Sequence, residues 1–132
     1  MNQELIPSDQ ELWRFIQKYF AGDTSITPYV QEIFLMDSHI AGTSHLNLEK
    51  IEPELDPGAP LLFRREPDNE HDELAVIILD RKERKLGYIP RSKNEILARM
   101  MDAGKLLFGK LESKEWKGKW LKIQIRVFLK DL

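Results

Sequence analysis

From Leu121 to Lys130 the chain alternates: Leu121, Ile123, Ile125, Val127 and Leu129 are apolar, with Lys122, Gln124, Arg126 and Lys130 between them. Successive side chains of a strand point to opposite faces, so this period of two describes a strand with one buried and one solvated face. A helix would scatter the same apolar residues around its circumference. The run commits the chain to a sheet with one covered side. Leu106–Ser113 reads as its partner strand, and Trp120–Lys130 completes a hairpin around Lys117-Gly118.

The upstream sequence has to supply the rest of that sheet. Val30 to Met36 is apolar with high strand propensity, and predicts a first strand running to about Ile40. It bends at Gly42, where a missing side chain lets another backbone or a ligand approach. Asn47 to Pro60, with Pro53, Pro57, Gly58 and Pro60, is a loop with room for one helical turn. Leu61–Arg65 and Leu74–Asp80 are the second and third strands; the third is apolar on both faces, hence central or covered by a helix. The run from Arg64 to Asp72 between them is too polar for a buried strand and turns at the surface. Arg81-Lys82-Glu83-Arg84 is a solvated turn, Lys85–Ile89 a fourth strand, and Pro90 ends the ladder.

Two helices complete the reading. Ser8-Asp9-Gln10-Glu11 has the form of a capping box, and Leu12, Phe15, Ile16, Tyr19 and Phe20 share one stripe before Gly22, which predicts a helix over 9–21. That stripe suits packing on its own barrel or dimerisation. Ser92-Lys93-Asn94-Glu95 is a second capping box, and Ile96, Leu97, Met100 and Met101 form a stripe before Gly104, which predicts a helix over 93–103. The expected fold is mainly β with two helices (α+β): a small, partly open OB-like β-barrel. One helix follows the fourth strand and the other is an extra N-terminal helix. Residues 1–28 hold that N-terminal helix and a linker, and 29–132 the barrel domain.

The length of 132 residues suffices for one core without staples. The absence of cysteine excludes disulfides, thiol nucleophiles and cysteine metal sites, and fits a reducing, cytoplasmic setting. No apolar run approaches the roughly 20 residues of a membrane span, and the acidic N-terminus does not read as a signal peptide. Net charge is −2, but residues 1–60 carry three Lys/Arg against ten Asp/Glu, and residues 61–132 seventeen against twelve. The balance of −7 and +5 allows one basic face on a nearly neutral molecule.

Several polar residues have both a structural and a chemical reading. Asn69 and Asp72 can simply satisfy backbone amides of a turn. Arg91 stands beside a helix N-terminus, where an anion is favoured, or forms a surface ion pair with a nearby Glu. Trp116 and Trp120 flank Lys117-Gly118-Lys119, a base-stacking and phosphate-tracking pattern in which one tryptophan is expected to be core. His39, His45, His71 and Asp72 match no standard metal-ligand spacing. Ser44, His45 and Asp72 come without an oxyanion-hole motif, and no glycine-rich phosphate loop is present.

Arg65-Glu66-Pro67-Asp68-Asn69-x-x-Asp72-x-x-Ala75-Val76, followed by Gly87-Tyr88-Ile89-Pro90-Arg91, resembles the HIRAN domain family, with similarity from about Ile33 to the C-terminus. That family is best known as the DNA-end-binding module of SWI/SNF-type fork-remodelling helicases. The resemblance implies a stand-alone, non-enzymatic module for single-stranded DNA ends, in which Asp72 accepts a hydrogen bond from a free 3′-hydroxyl. His71 stands where members often carry a stacking Tyr. Gly42-Thr43-Ser44-His45-Leu46 matches a second wall, with Ser44 in place of a basic residue and His45 and Leu46 in place of aromatics. Trp120 matches a family aromatic at the pocket rim. The implied nucleic-acid-binding set is Ser44, His45, Arg64, Asn69, His71, Asp72, Tyr88, Arg91, Lys119 and Trp120. No cofactor, metal or membrane is implied. The expected partners are single-stranded DNA or DNA 3′ ends, with a helicase or nuclease. A protein-interaction adaptor with a vestigial pocket is the competing class, and a metal-dependent hydrolase the third.

Overall fold

Strand-forming runs rich in Ile, Leu and Val build nearly half of residues 31–131, the part of the chain that this computed structural model describes. The strands are β1 (Gln31–His39), β2 (Pro60–Arg65), β3 (Val76–Leu79), β4 (Lys85–Tyr88), β5 (Leu106–Lys117) and β6 (Trp120–Asp131), with helix α1 (Arg91–Asp102) between β4 and β5. Short 3-10 turns occupy Thr43–His45 and Glu52–Glu54. The helix expected over 9–21, and the linker after it, lie outside the described residues.

The strands form one sheet in the order β1-β6-β5-β2-β3-β4. Antiparallel pairing joins β2 to β3 and β5, β3 to β4, and β5 to β6. The two ends of that order meet just beyond β1. The Ala41 N–H donates to the Tyr88 carbonyl at 2.8 Å, and the Tyr88 N–H returns to the Ala41 carbonyl at 2.9 Å. This isolated bridge curls the sheet into a six-stranded half-barrel, in keeping with the OB-like class. The core is the inward face: Leu61, Val76, Ile78, Leu86, Leu111, Leu121, Ile123, Ile125 and Val127 are buried, with Leu97 and Ala98 of α1 packed against them. The β6 alternation is therefore realised as read. Each fully buried aliphatic contributes roughly 1.5–3 kcal/mol.

Element ends depart from the sequence reading for identifiable reasons. β5 continues past Ser113 to Lys117 because Ser113 pairs with Gln124 and Lys117 with Trp120, leaving a two-residue turn with Gly118 at φ 63°. Both Trp116 and Trp120 on this long hairpin are exposed, so neither is core. β3 is shorter than expected because turns consume its flanks. The Ala75 carbonyl accepts the Glu66 amide, and the Asp80 carboxylate accepts the Lys82 and Arg84 amides.

α1 starts at Arg91, two residues early. Pro90, at φ −58° and ψ 147°, sets the extended entry and its carbonyl accepts the Lys93 amide at 2.9 Å, so no side chain caps the helix. Ser92 falls inside the first turn and the expected capping box is not made. The buried face carries Asn94, Leu97 and Ala98, and Ile96 is 57% exposed, contrary to its assignment to the stripe. Among the described residues no helix is long and apolar enough to cross a membrane.

Gly87, at φ 151°, runs against Ala41 so closely that an added Cβ would lie 2.3 Å from the Ala41 carbonyl oxygen and 2.6 Å from Ile40 Cγ2. Gly87→Ala is expected to cost about 3 kcal/mol through strain and overpacking at the seam, read as a lowered urea midpoint. Gly118→Asn, at a positive-φ turn with open space around it, is the control and should stay within about 0.5 kcal/mol.

Candidate functional site

The charged loop after β2 is fixed by its own side chains. Its neck closes where the Glu66 amide donates to the Ala75 carbonyl at 3.0 Å. Within it, Asn69 Oδ1 accepts the His71 and Asp72 amides at 2.8 and 3.0 Å, the Asx-turn pattern that asparagine favours. Arg65 then pins the loop from outside. Its guanidinium donates to the Ala75 and Glu73 carbonyls at 2.7 and 2.9 Å and to Asp102 of α1 at 2.9 Å, with its side chain 14% exposed. Asp72 thereby stands in one orientation.

That orientation is set through both carboxylate oxygens. Oδ1 accepts the Leu74 amide at 2.9 Å, and Oδ2 accepts the Asn94 side-chain amide of α1 at 2.6 Å. The Arg91 Nε lies 3.8 Å from Oδ2, beyond hydrogen-bond reach, on a side chain that is 72% exposed. The Leu74 amide above all, then Asn94 and the charges of Arg91 and Arg65, hold the Asp72 carboxyl below its ordinary value of 3.8 against the opposing effect of burial. A carboxylate offers about four acceptor positions, so this one keeps capacity for a further donor.

Asp72 borders a cleft of about 420 Å³ at the seam of the half-barrel. That volume falls in the ordinary range for small-ligand sites. Ala41, Ala75 and Ile89 supply an apolar wall, and His45, Asn69, His71, Tyr88 and Arg91 the polar rim. Six of the ten sequence-derived candidates thus meet in one cleft. Tyr88 is held in place: its hydroxyl donates to Glu66 Oε1 at 3.0 Å and accepts from Lys85 Nζ at 2.9 Å, with Lys85 4.4 Å above its ring. Arg91 donates to the His71 carbonyl at 2.9 Å; its ionic neighbour is Asp72 instead of the expected Glu.

Ser44, Arg64, Lys119 and Trp120 do not line this cleft. Ser44 is exposed on the 3-10 turn beside His45, and Arg64 is paired with Glu83 at 2.8 Å. Lys119 and Trp120 sit at the turn of the β5–β6 hairpin, tied to the cleft wall through Thr43, whose hydroxyl donates to the Leu121 carbonyl at 2.8 Å. Among the described residues no three of His, Asp and Glu gather in a metal-ligating group, so the third reading finds no support in His39, His45, His71 and Asp72. Asn94 was missed by sequence reasoning. The available signal was its place at the i, i+3, i+4, i+7 positions with Leu97, Ala98 and Met101, where a polar residue interrupts a buried stripe.

Comparisons with known proteins agree on the frame. The family pattern of the HIRAN domain matches residues 33–130. A crystal structure of a protein from Lactobacillus plantarum superposes with a TM-score of 0.72 at 22% identity, covering 78% of this chain and 99% of that one. The crystal structure of the HIRAN domain of human HLTF gives a TM-score of 0.59 at 13% identity, over 75% of this chain and 78% of that one. The NMR structure of the HLTF HIRAN domain in its DNA-bound conformation gives 0.55 at 12%, over 76% and 79%. The search of curated proteins found no match.

Two outcomes follow from the loop. Asn69→Ala should cost about 1 kcal/mol and raise amide exchange at His71 and Asp72, seen by hydrogen-exchange NMR. Because the folded pKa of Asp72 is depressed, its carboxylate stabilises the fold above the unfolded value of 3.8, and the contribution disappears as pH falls through the folded pKa. The urea-midpoint difference between wild type and Asp72→Ala should be constant above about pH 5 and shrink towards zero in stronger acid.

Proposed function

The chain belongs to the HIRAN domain family, and from that premise we propose that it binds single-stranded DNA ends with a free 3′-hydroxyl. In this reading it is an accessory of DNA repair or replication, working beside a helicase or nuclease, and is not an enzyme. The observation that carries the reading is the Asp72 carboxylate, held on both oxygens at the cleft with acceptor capacity left over. A free hydroxyl donates to such a group in a charge-assisted bond, whereas a terminal phosphate would meet like charge.

The rest of the cleft suits the last nucleotide of a strand. His45 and His71 at its rim offer imidazole faces for stacking, and Ala41, Ala75 and Ile89 a dry wall. Arg91 opens α1, where helix dipole and guanidinium favour a phosphate together. Its contact with Asp72 is long and solvent-screened, so exchange for phosphate costs little. Lys119 and Trp120 on the adjoining hairpin would take the next phosphate and base, with Ser44 and Arg64 beyond the cleft as further contacts.

A protein-interaction adaptor is the second reading. The exposed Phe34, Leu62 and Leu106 on the sheet favour it.

Fluorescence anisotropy with a short labelled strand ending in a 3′-hydroxyl, beside the same strand ending in a 3′-phosphate, decides between them. The hydroxyl end should bind more tightly, and Asp72→Ala should weaken that binding by about 10–100-fold, the worth of one charged hydrogen bond. Equal binding of both ends with a steep salt dependence would reject the end pocket in favour of a basic groove. No binding to either at about 100 μM would favour the adaptor.

A further inference from the structure

Four polar residues are buried among the described ones: Ser38, Thr43, Asp80 and Asn94. The first three bond locally or to the frame. Ser38 donates to the His39 carbonyl, Thr43 to the Leu121 carbonyl, and Asp80 organises the turn before β4. Asn94 differs. It sits 3% exposed in a helix interior, where asparagine is a poor choice and an unpartnered amide would be costly. Its bond goes to Oδ2 of Asp72, the carboxylate at the cleft.

The kind of donor matters as much as its position. A lysine or arginine there would pair with Asp72, cancel its charge and make the end of the cleft acceptable to a phosphate. An acid would repel it. A carboxamide orients the carboxylate and leaves its negative charge whole. The nearest cation, Arg91, sits 3.8 Å away on an exposed side chain and is screened by water.

We propose that Asn94 is a positioning residue that sets the end selectivity of the cleft: its neutral amide fixes the Asp72 carboxylate to receive a ligand hydroxyl while preserving the charge that turns a terminal phosphate away. The assignment rests on the end-binding reading above. It adds that selectivity belongs to the Asn94–Asp72 pair and not to Asp72 alone.

The test uses the hydroxyl-ended and phosphate-ended strands with wild type, Asn94→Asp and Asn94→Ala. Asn94→Asp keeps the shape but replaces the amide donor with a second carboxyl at hydrogen-bond distance from Asp72, so that two acceptors of like charge face each other when both are ionised. At about pH 7.5 its preference for the hydroxyl end should fall at least about tenfold below wild type. At about pH 5 the like charge of the facing pair favours holding one proton between the two carboxyls, which returns a hydrogen-bond donor while keeping one negative charge, and much of the preference is restored. Asn94→Ala should lose the preference at both pH values, with binding of the phosphate-ended strand unchanged.

Arg65, Arg91, His71, His45 and Glu95 surround the pair from β2, the loop, the facing wall and α1. They are common to all three proteins, so each preference is taken relative to wild type at the same pH. Preference retained by both variants at about pH 7.5 overturns the proposal alone. A wild type without end preference overturns the end-binding reading, and this proposal with it. If circular dichroism shows Asn94→Asp unfolded at neutral pH, Asn94→Ala decides: a retained preference rejects the assignment and a lost one supports it.

Discussion

The half-barrel depends on two backbone hydrogen bonds, those exchanged between Ala41 and Tyr88. β1 and β4 are the edges of the sheet order, and this bridge is where the edges meet. Unpaired edge groups must find partners or water, and here a single residue pair satisfies both edges at the point of closest approach. The approach is possible because Gly87 has no side chain to occupy the space against Ala41. The same backbone then becomes the floor of the cleft, since Ala41, Gly42 and Tyr88 all line it. Closure and site are therefore one feature: pairing stops after one bridge, and the gap left where the edges diverge is the cleft.

Charge in the molecule is arranged differently from what the −7 and +5 halves suggest. The basic residues of the second half are largely spent on ion pairs. Arg84 contacts Asp80 and Glu54, Lys82 reaches Glu54, Lys110 reaches Glu32, Lys114 reaches Glu52, and Arg126 faces Asp37. Many of these partners come from the acidic first half, so folding mixes the two signs. Lys117, Lys119 and Lys122 on the β5–β6 hairpin take no part in these pairs. A ligand drawn to this protein by its field alone would meet a patchwork, and discrimination has to come from short-range contacts. The Asp72 network is built on that scale, with two direct bonds of 2.9 and 2.6 Å.

The strands were legible because each satisfies one strong, local rule. β6 alternates and buries Leu121, Ile123, Ile125 and Val127, with Leu129 half-buried, and pairing of the β4 segment stops just before Pro90, after the Ile89 amide has met the Val76 carbonyl. The boundaries of α1 were not legible, because two start signals competed. The Ser92 and Glu95 pattern promised a cap, but Pro90 already fixes the chain for helix entry and the helix begins at once. The inward face is Asn94, Leu97 and Ala98, and a stripe that begins at Ile96 misses it because its first member is an amide.

The site was half legible for a related reason. Asn69, His71, Asp72, Tyr88 and Arg91 lie in two short motifs, and antiparallel pairing of β3 with β4 brings those motifs together. Nothing in either motif names Asn94, because its role exists only after α1 folds back on the loop. Polar residues that complete a site from a buried helical face resemble mistakes in an apolar pattern. Burial of an amide is tolerated only when a partner meets it, and here the partner is the one carboxylate that the cleft presents. The departure from hydrophobic periodicity at Asn94 is thus the sequence trace of the same constraint that orients Asp72.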